Sequence, residues 1–160
     1  MKATRILSIA AVALVASAGT AFAQTATQTV TFQVDAINQI AVTGTPSLRI
    51  TTASAGSAPT TVTASGTWAV TTNQTNAKIT ASIPTAMPNG LTLSADLGAP
   101  AGATGAGVKA LGTTAVDLVT GITKLNATGL TLNYTLDATP TAGVVSSATR
   151  VVTFTITGGV

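Results

Sequence analysis

The sequence predicts an all-β fold, an antiparallel two-sheet sandwich of Ig-like or jelly-roll type with about nine or ten short strands. Three observations lead there. Several segments alternate apolar and polar residues with a period of two, the pattern of a half-buried strand. Clusters of Gly, Pro, Asn and Ser punctuate the chain at intervals of roughly 10–15 residues, close to the rhythm of small β-domains. No stretch shows the spacing of an amphipathic helix.

The clearest alternation lies near the C-terminus, over 150–157. Val152, Phe154 and Ile156 fall on one face there, with Val151, Thr153, Thr155 and Thr157 on the other. A near-twin occupies 27–34, with Val30, Phe32 and Val34 sharing a face. The plain expectation is that both strands complete one sandwich within the chain. The alternative is that one of them is shared between molecules.

Between these two strands the elements follow in order. Residues 39–42 continue the first strand or pair beside it after a bend at 36–38. Gly44-Thr45-Pro46 makes a turn, 48–50 a short strand, and 53–59 a loop rich in Ala, Ser and Gly. Strands follow at 60–63 and 67–71, the second with Trp68 and Val70 on one face. Residues 73–76 read as a hairpin turn into 77–83, where Ile79, Ala81 and Ile83 alternate with Lys78, Thr80 and Ser82.

Pro88-Asn89-Gly90 is a strong turn signal before the strand 91–97. The glycine-rich stretch 98–107 reads as a flexible surface loop with almost nothing to bury. Residues 116–122 allow a single helical turn, but Val116 and Leu118 at spacing two before Gly121 favour a strand. Leu130, Leu132, Tyr134 and Leu136 give the best internal strand, 130–136, and 138–148 is a loop.

The first 23 residues read as a secretory leader. Lys2 and Arg5 form a positive start, 6–16 an apolar run broken only by Ser8, and Ala21-Phe22-Ala23 a small-x-small cleavage signature. The 11-residue run falls short of the ~20 residues a membrane-spanning helix needs. The expected division is therefore 1–23 as signal peptide and 24–160 as a single sandwich domain. The implied location is secreted or at the cell surface, the periplasm included, with no transmembrane segment in the mature chain. With no cysteine after the cleavage site, lipid anchoring is not expected.

Removing the leader leaves Arg49, Lys78, Lys109, Lys124 and Arg150 against Asp35, Asp96, Asp117 and Asp137, a net charge of +1. These cations are scattered singly, whereas a nucleic-acid surface needs them clustered. The polar surface must be built from Thr, Ser, Asn and Gln, and β-branched Thr suits a pleated face. Low net charge gives weak protection against association. An outer-membrane barrel would suit the length, but Phe32, Trp68, Tyr134 and Phe154 are too few to form its aromatic girdles.

The catalytic inventory is nearly empty. The chain contains no His, no Cys and no Glu. That removes Ser-His-Asp and Cys-His schemes, His-containing metal sites and Glu-based acid–base work. The four Asp lie in different segments, with no clustering of the kind a calcium loop uses. The glycines of 98–107 lack the Lys-Ser/Thr and helix start of a phosphate loop. No catalytic, cofactor or metal residue is assigned. Trp68 reads as a core residue or as an exposed platform for a sugar ring, and Tyr134 is a second candidate ligand contact. Asn73, Asn126 and Asn133 each open an N-x-Thr sequon, which the bacterial leader makes a coincidence of a Thr-rich chain. Thr-x-Thr runs at 29–31, 61–63 and 153–157 are read as the polar face of a sheet. An ice-binding ladder would require repeats at a fixed period.

On these residues the chain resembles small exported all-β surface proteins of bacteria. Trp68-Ala69-Val70 and Phe154-Thr155-Ile156 are similar to the paired Trp-x-Leu motifs of the WxL cell-wall-binding domains. The third residue departs from the motif in both, and the aromatic residue in the second. That resemblance implies non-covalent attachment to peptidoglycan. A second resemblance, to fimbrial and spore-coat subunits, implies terminal strands that pair between neighbours. The cysteine pair usual in pilins is missing here.

Two functions follow as expectations. One is a non-enzymatic structural subunit of a surface layer, fibre or matrix. It would assemble with itself through Val30, Phe32 and Val34, or through Val152, Phe154 and Ile156, by adding a strand to a sheet edge. The other is a monomeric adhesion or polysaccharide-binding module using Trp68 or Tyr134.

Overall fold

The computed structural model describes residues 23–159. The leader expected over 1–23 lies outside the described residues, its last position excepted. The chain divides into two units, Met1–Gln33 and Val34–Val160. All the strands below belong to the second.

Nine strands form among the described residues: β1 (Asn38–Thr43), β2 (Val62–Thr72), β3 (Ala77–Ser82), β4 (Leu91–Leu97), β5 (Thr104–Gly105), β6 (Lys109–Ala110), β7 (Val116–Ile122), β8 (Leu125–Ala138) and β9 (Thr153–Thr157). They make two sheets, ordered β1-β2-β8-β4-β6 and β5-β7-β3-β9, with every pairing antiparallel. The two-sheet sandwich read from the alternation is therefore the fold. One apolar core joins the sheets. Trp68, Val70, Leu93, Leu97, Leu132 and Tyr134 come from the first, and Ile79, Leu118, Val119 and Ile122 from the second. Burying such side chains is worth roughly 1.5–3 kcal/mol each.

Two irregularities shape the core. Between Trp68 and Val70 the register of β2 on β8 shifts, because Trp68 faces Leu130 while Val70 faces Ala127. β8 therefore carries an extra residue at Thr128-Gly129, and Gly129 takes a φ of 67°. This is the geometry of a glycine bulge. It lets Ala127 and Leu130, three apart, both turn inward. β7 behaves alike. Two register shifts against β3, one beside Gly121 at φ 74°, let the adjacent Leu118 and Val119 both be fully buried. A regular strand would put one of them on each face.

Several expectations change. The strand predicted over 27–34 does not form within the chain: 23–37 hold no strand, and Val30, Phe32 and Val34 are exposed. Nor do 48–50 form one, although Leu48 packs on the core. The segments 60–63 and 67–71 are one strand, β2. The turn 73–76 is not a hairpin, since β2 and β3 lie in different sheets and the chain arches across the core there. Turn residues look the same in sequence whether the chain folds back beside itself or crosses over. Finally, the glycine-rich loop after β4 has a structural role. It places β5 against β7 and β6 against β4, and so covers the edge strand of each sheet on that side.

Candidate functional site

The sandwich closes differently at its two sides. Where β4 and β7 would present open edges, the segment between them lays down the two-residue strands β6 and β5. Very short edge strands offer little template for pairing with another chain. On the opposite side the edges are β1, six residues long, and β9, five residues long, each with a single strand neighbour.

Along this second side the core is incompletely covered. Ile40 and Val42 of β1 lie opposite the buried Val70 and Trp68, so they point inward with them. Val42 nevertheless stays 46 % exposed. On β9, Phe154 and Ile156 lie opposite the fully buried Ala81 and Ile79. They and Val152 pack against the core yet remain partly exposed. Thr153, Thr155 and Thr157 face solvent. The sequence alternation of this strand is thus the alternation of an edge.

The end of this side, where β1 begins and β9 finishes, is tightly tied. A Cβ on Gly158 would lie 2.5 Å from Asn38 Nδ2, and one on Gly159 would overlap the Thr75 carbonyl oxygen. Only glycine lets the chain leave β9 so close to the 73–76 arch. Asn38 Oδ1 accepts a 2.7 Å hydrogen bond from the Thr72 hydroxyl. Asn73 Nδ2 donates to the Asp35 carbonyl at 2.7 Å. The Thr123 hydroxyl accepts from Asn76 N–H at 3.0 Å, and Gln74 O from Lys124 N–H at 2.9 Å. At the other end of β9, Arg150 donates to the carbonyls of Thr149 and Ala86.

Of the sequence-selected residues, Val30, Phe32 and Val34 are 72 %, 89 % and 78 % exposed. Such large apolar side chains, alternating along one segment, leave water only by meeting another surface. Phe154 and Ile156 lie on the β9 edge and Val152 just before it, since the strand expected over 150–157 forms only over Thr153–Thr157. Trp68 and Tyr134 are buried, at 1 % and 7 % exposure. Sugar stacking needs a ring face that solvent reaches, and neither ring has one. Trp68 Nε1 has no hydrogen-bond partner. Burial pushes the Tyr134 phenol above its usual pKa.

The carboxylates are dispersed. Asp117 pairs with Lys78 at 3.0 Å on the exposed face, a contact of the kind that contributes ~0–1 kcal/mol. Asp137 accepts from the Thr61 hydroxyl. Among the described residues no three potential metal ligands gather, and no helix is long and apolar enough to cross a membrane. One shallow open depression is lined by Ile37, Thr71, Asn73, Lys124 and Asn126. What sequence reasoning missed is the open β1 edge. Its inward residues Ile40 and Val42 are too few to signal an edge before the strand order is known. Searches against protein-family models and among the curated proteins find no match for the chain.

Proposed function

We propose that this chain is an exported, non-enzymatic structural protein of the bacterial cell surface or extracellular matrix that assembles with copies of itself through its terminal β-strands. One observation carries the reading. Val30, Phe32 and Val34 form a strand-patterned apolar row that the chain leaves in water, at 72 %, 89 % and 78 % exposure. An open sheet edge is a ready acceptor for such a row, since its free N–H and C=O groups and uncovered core side chains are satisfied together.

Other features support the same reading. Export rests on the leader signature of residues 1–23. The absence of His, Cys and Glu from the sequence leaves little for catalysis to use. The low charge and hydroxyl-rich strand faces suit subunits packed side by side. A monomeric glycan-binding module would need an accessible aromatic platform, and burial of Trp68 and Tyr134 gives it none.

Sedimentation velocity and electron microscopy of the purified protein over a range of concentrations test the reading. Concentration-dependent oligomers or fibres are expected, reduced by Phe32→Asp. A monodisperse monomer at the highest concentration reached would sink it.

A further inference from the structure

The exposed apolar row and the two open edges raise a narrower question: which edge receives the row, and from which molecule. We propose that residues Thr29 to Val34 of one copy add to the outer edge of β9 in a second copy, antiparallel, with Phe32 opposite Phe154. This rests on the self-assembly reading above and names its acceptor.

The two candidate edges differ in what they offer inward. Along β1 the inward positions are Asn38, Ile40 and Val42, so one of the three is an amide already bonded to Thr72. A strand laid beside β1 would set an apolar side chain level with that amide. Along β9 the inward residues are Phe154 and Ile156, with Val152 just before the strand begins, all apolar and all partly exposed. The exposed row has the same composition and spacing: Val30, Phe32 and Val34. Antiparallel pairing in the proposed register sets Val30 opposite Ile156, Phe32 opposite Phe154 and Val34 opposite Val152. Aromatic and aliphatic cross-strand pairs of this type stabilise a sheet. The polar residues match as well. Thr31 falls opposite Thr155, and both lie on the solvent face.

In the antiparallel orientation the register also separates one molecule from two. Asp35 is held at its carbonyl by Asn73 Nδ2, and Ile37 by Asn73 Oδ1. Asn73 sits where β9 finishes, since Gly158 abuts Asn38 and Gln74 there. Val34, the neighbour of Asp35, is therefore confined to that end. The antiparallel register needs Val34 beside Val152, just ahead of the far end of β9, about 17 Å away at ~3.3 Å per residue. A chain cannot satisfy both conditions with its own β9. A second copy can.

The sequence contains no cysteine, so engineered thiols report pairing without background. Full-length Thr31→Cys and Thr155→Cys proteins are mixed and oxidised, and the linked species are identified by mass. Both sites are exposed, so neither change removes a core contact, and circular dichroism verifies the fold. Opposed residues in an antiparallel ladder have Cα atoms ~4.5–5.5 Å apart, within the span a disulfide closes. The expected product is a mixed dimer, bridged from position 31 of one protein to position 155 of the other. It should be lost when the Thr31→Cys partner also carries Phe32→Asp. A parallel mixture pairs Thr31→Cys with Ala41→Cys on β1. Oligomers that link through position 41 and not 155 overturn the β9 acceptor and leave self-assembly standing. An intrachain bond in a dilute Thr31→Cys/Thr155→Cys double variant overturns the two-molecule register. No linkage, with a monomer in sedimentation, overturns both this inference and the reading it rests on.

Discussion

Asn73 and Ile37 hold each other in a closed ring of hydrogen bonds. Ile37 N–H donates to Asn73 Oδ1 at 2.8 Å, while Asn73 N–H donates to the Ile37 carbonyl at 3.2 Å. The same amide side chain reaches back to the Asp35 carbonyl. One asparagine thus fixes the path of the chain just before β1. Asn73→Ala removes these two bonds and a third, in which Gln74 Nε2 donates to Asn73 Oδ1 at 3.0 Å, each worth ~0.5–1.5 kcal/mol net. The variant should lose about 1–2 kcal/mol in urea unfolding. Hydrogen exchange should quicken most at Ile37, with the core amides of β8 much less affected. Equal acceleration everywhere would mean that Asn73 anchors the whole fold rather than the entry to β1.

Gly66 leaves room for the end of β1 to sit close against β2. A Cβ there would stand 2.6 Å from the Thr43 carbonyl oxygen, a backbone atom that cannot swing aside. Gly66→Ala should therefore push the end of β1 outward, at a cost of ~1–3 kcal/mol typical of overpacking. Because β1 is an edge strand, amides of 40–43 should exchange faster while those of β3 and β7 stay protected. A variant as stable as the parent would show that β1 shifts freely along this edge.

How much was legible beforehand divides along physical lines. Leu130, Leu132, Tyr134 and Leu136 announce a strand because alternation survives wherever the ladder is regular. The first part of β8 was hidden, since the bulge at Gly129 changes the parity between Ala127 and Leu130. The helix-or-strand ambiguity of 116–122 has the same cause. Leu118 and Val119 are both inward only because the register shifts there. The alternation of 29–34 was legible as a pattern, but a pattern records which residues share a face and not whether a partner strand lies in the same molecule. The β5/β6 closure was unreadable because its residues are mostly Gly and Ala, whose role comes from position alone.

Trp68 lies opposite Val42 on one neighbour and Leu130 on the other, and its indole N–H finds no acceptor. Trp68→Ala should cost ~3–5 kcal/mol through the cavity it opens. Trp68→Phe should cost distinctly less, because it also removes a buried unpaired donor whose desolvation costs ~1–3 kcal/mol. Chemical denaturation of the three proteins by circular dichroism measures the ranking. If Trp68→Ala keeps full stability, the indole is no part of the core and the glycan-platform reading returns.

The chain contains one tyrosine, so tyrosinate absorbance reports Tyr134 alone. Burial disfavours the phenolate and raises its pKa in the folded protein above the usual ~10. The sign of the linkage follows. Below the unfolded value the phenol is protonated in both states, and the contribution from burying it neutral is fully present. Above that value the unfolded chain gives up the proton first, so stability falls as pH rises through the folded pKa. Alkaline titration should show the phenol ionising later in the native protein than in denaturant. Urea midpoints should decline above about pH 10, more steeply for the parent than for Tyr134→Phe. A native titration that coincides with the denatured one would mean that water reaches the hydroxyl between the sheets.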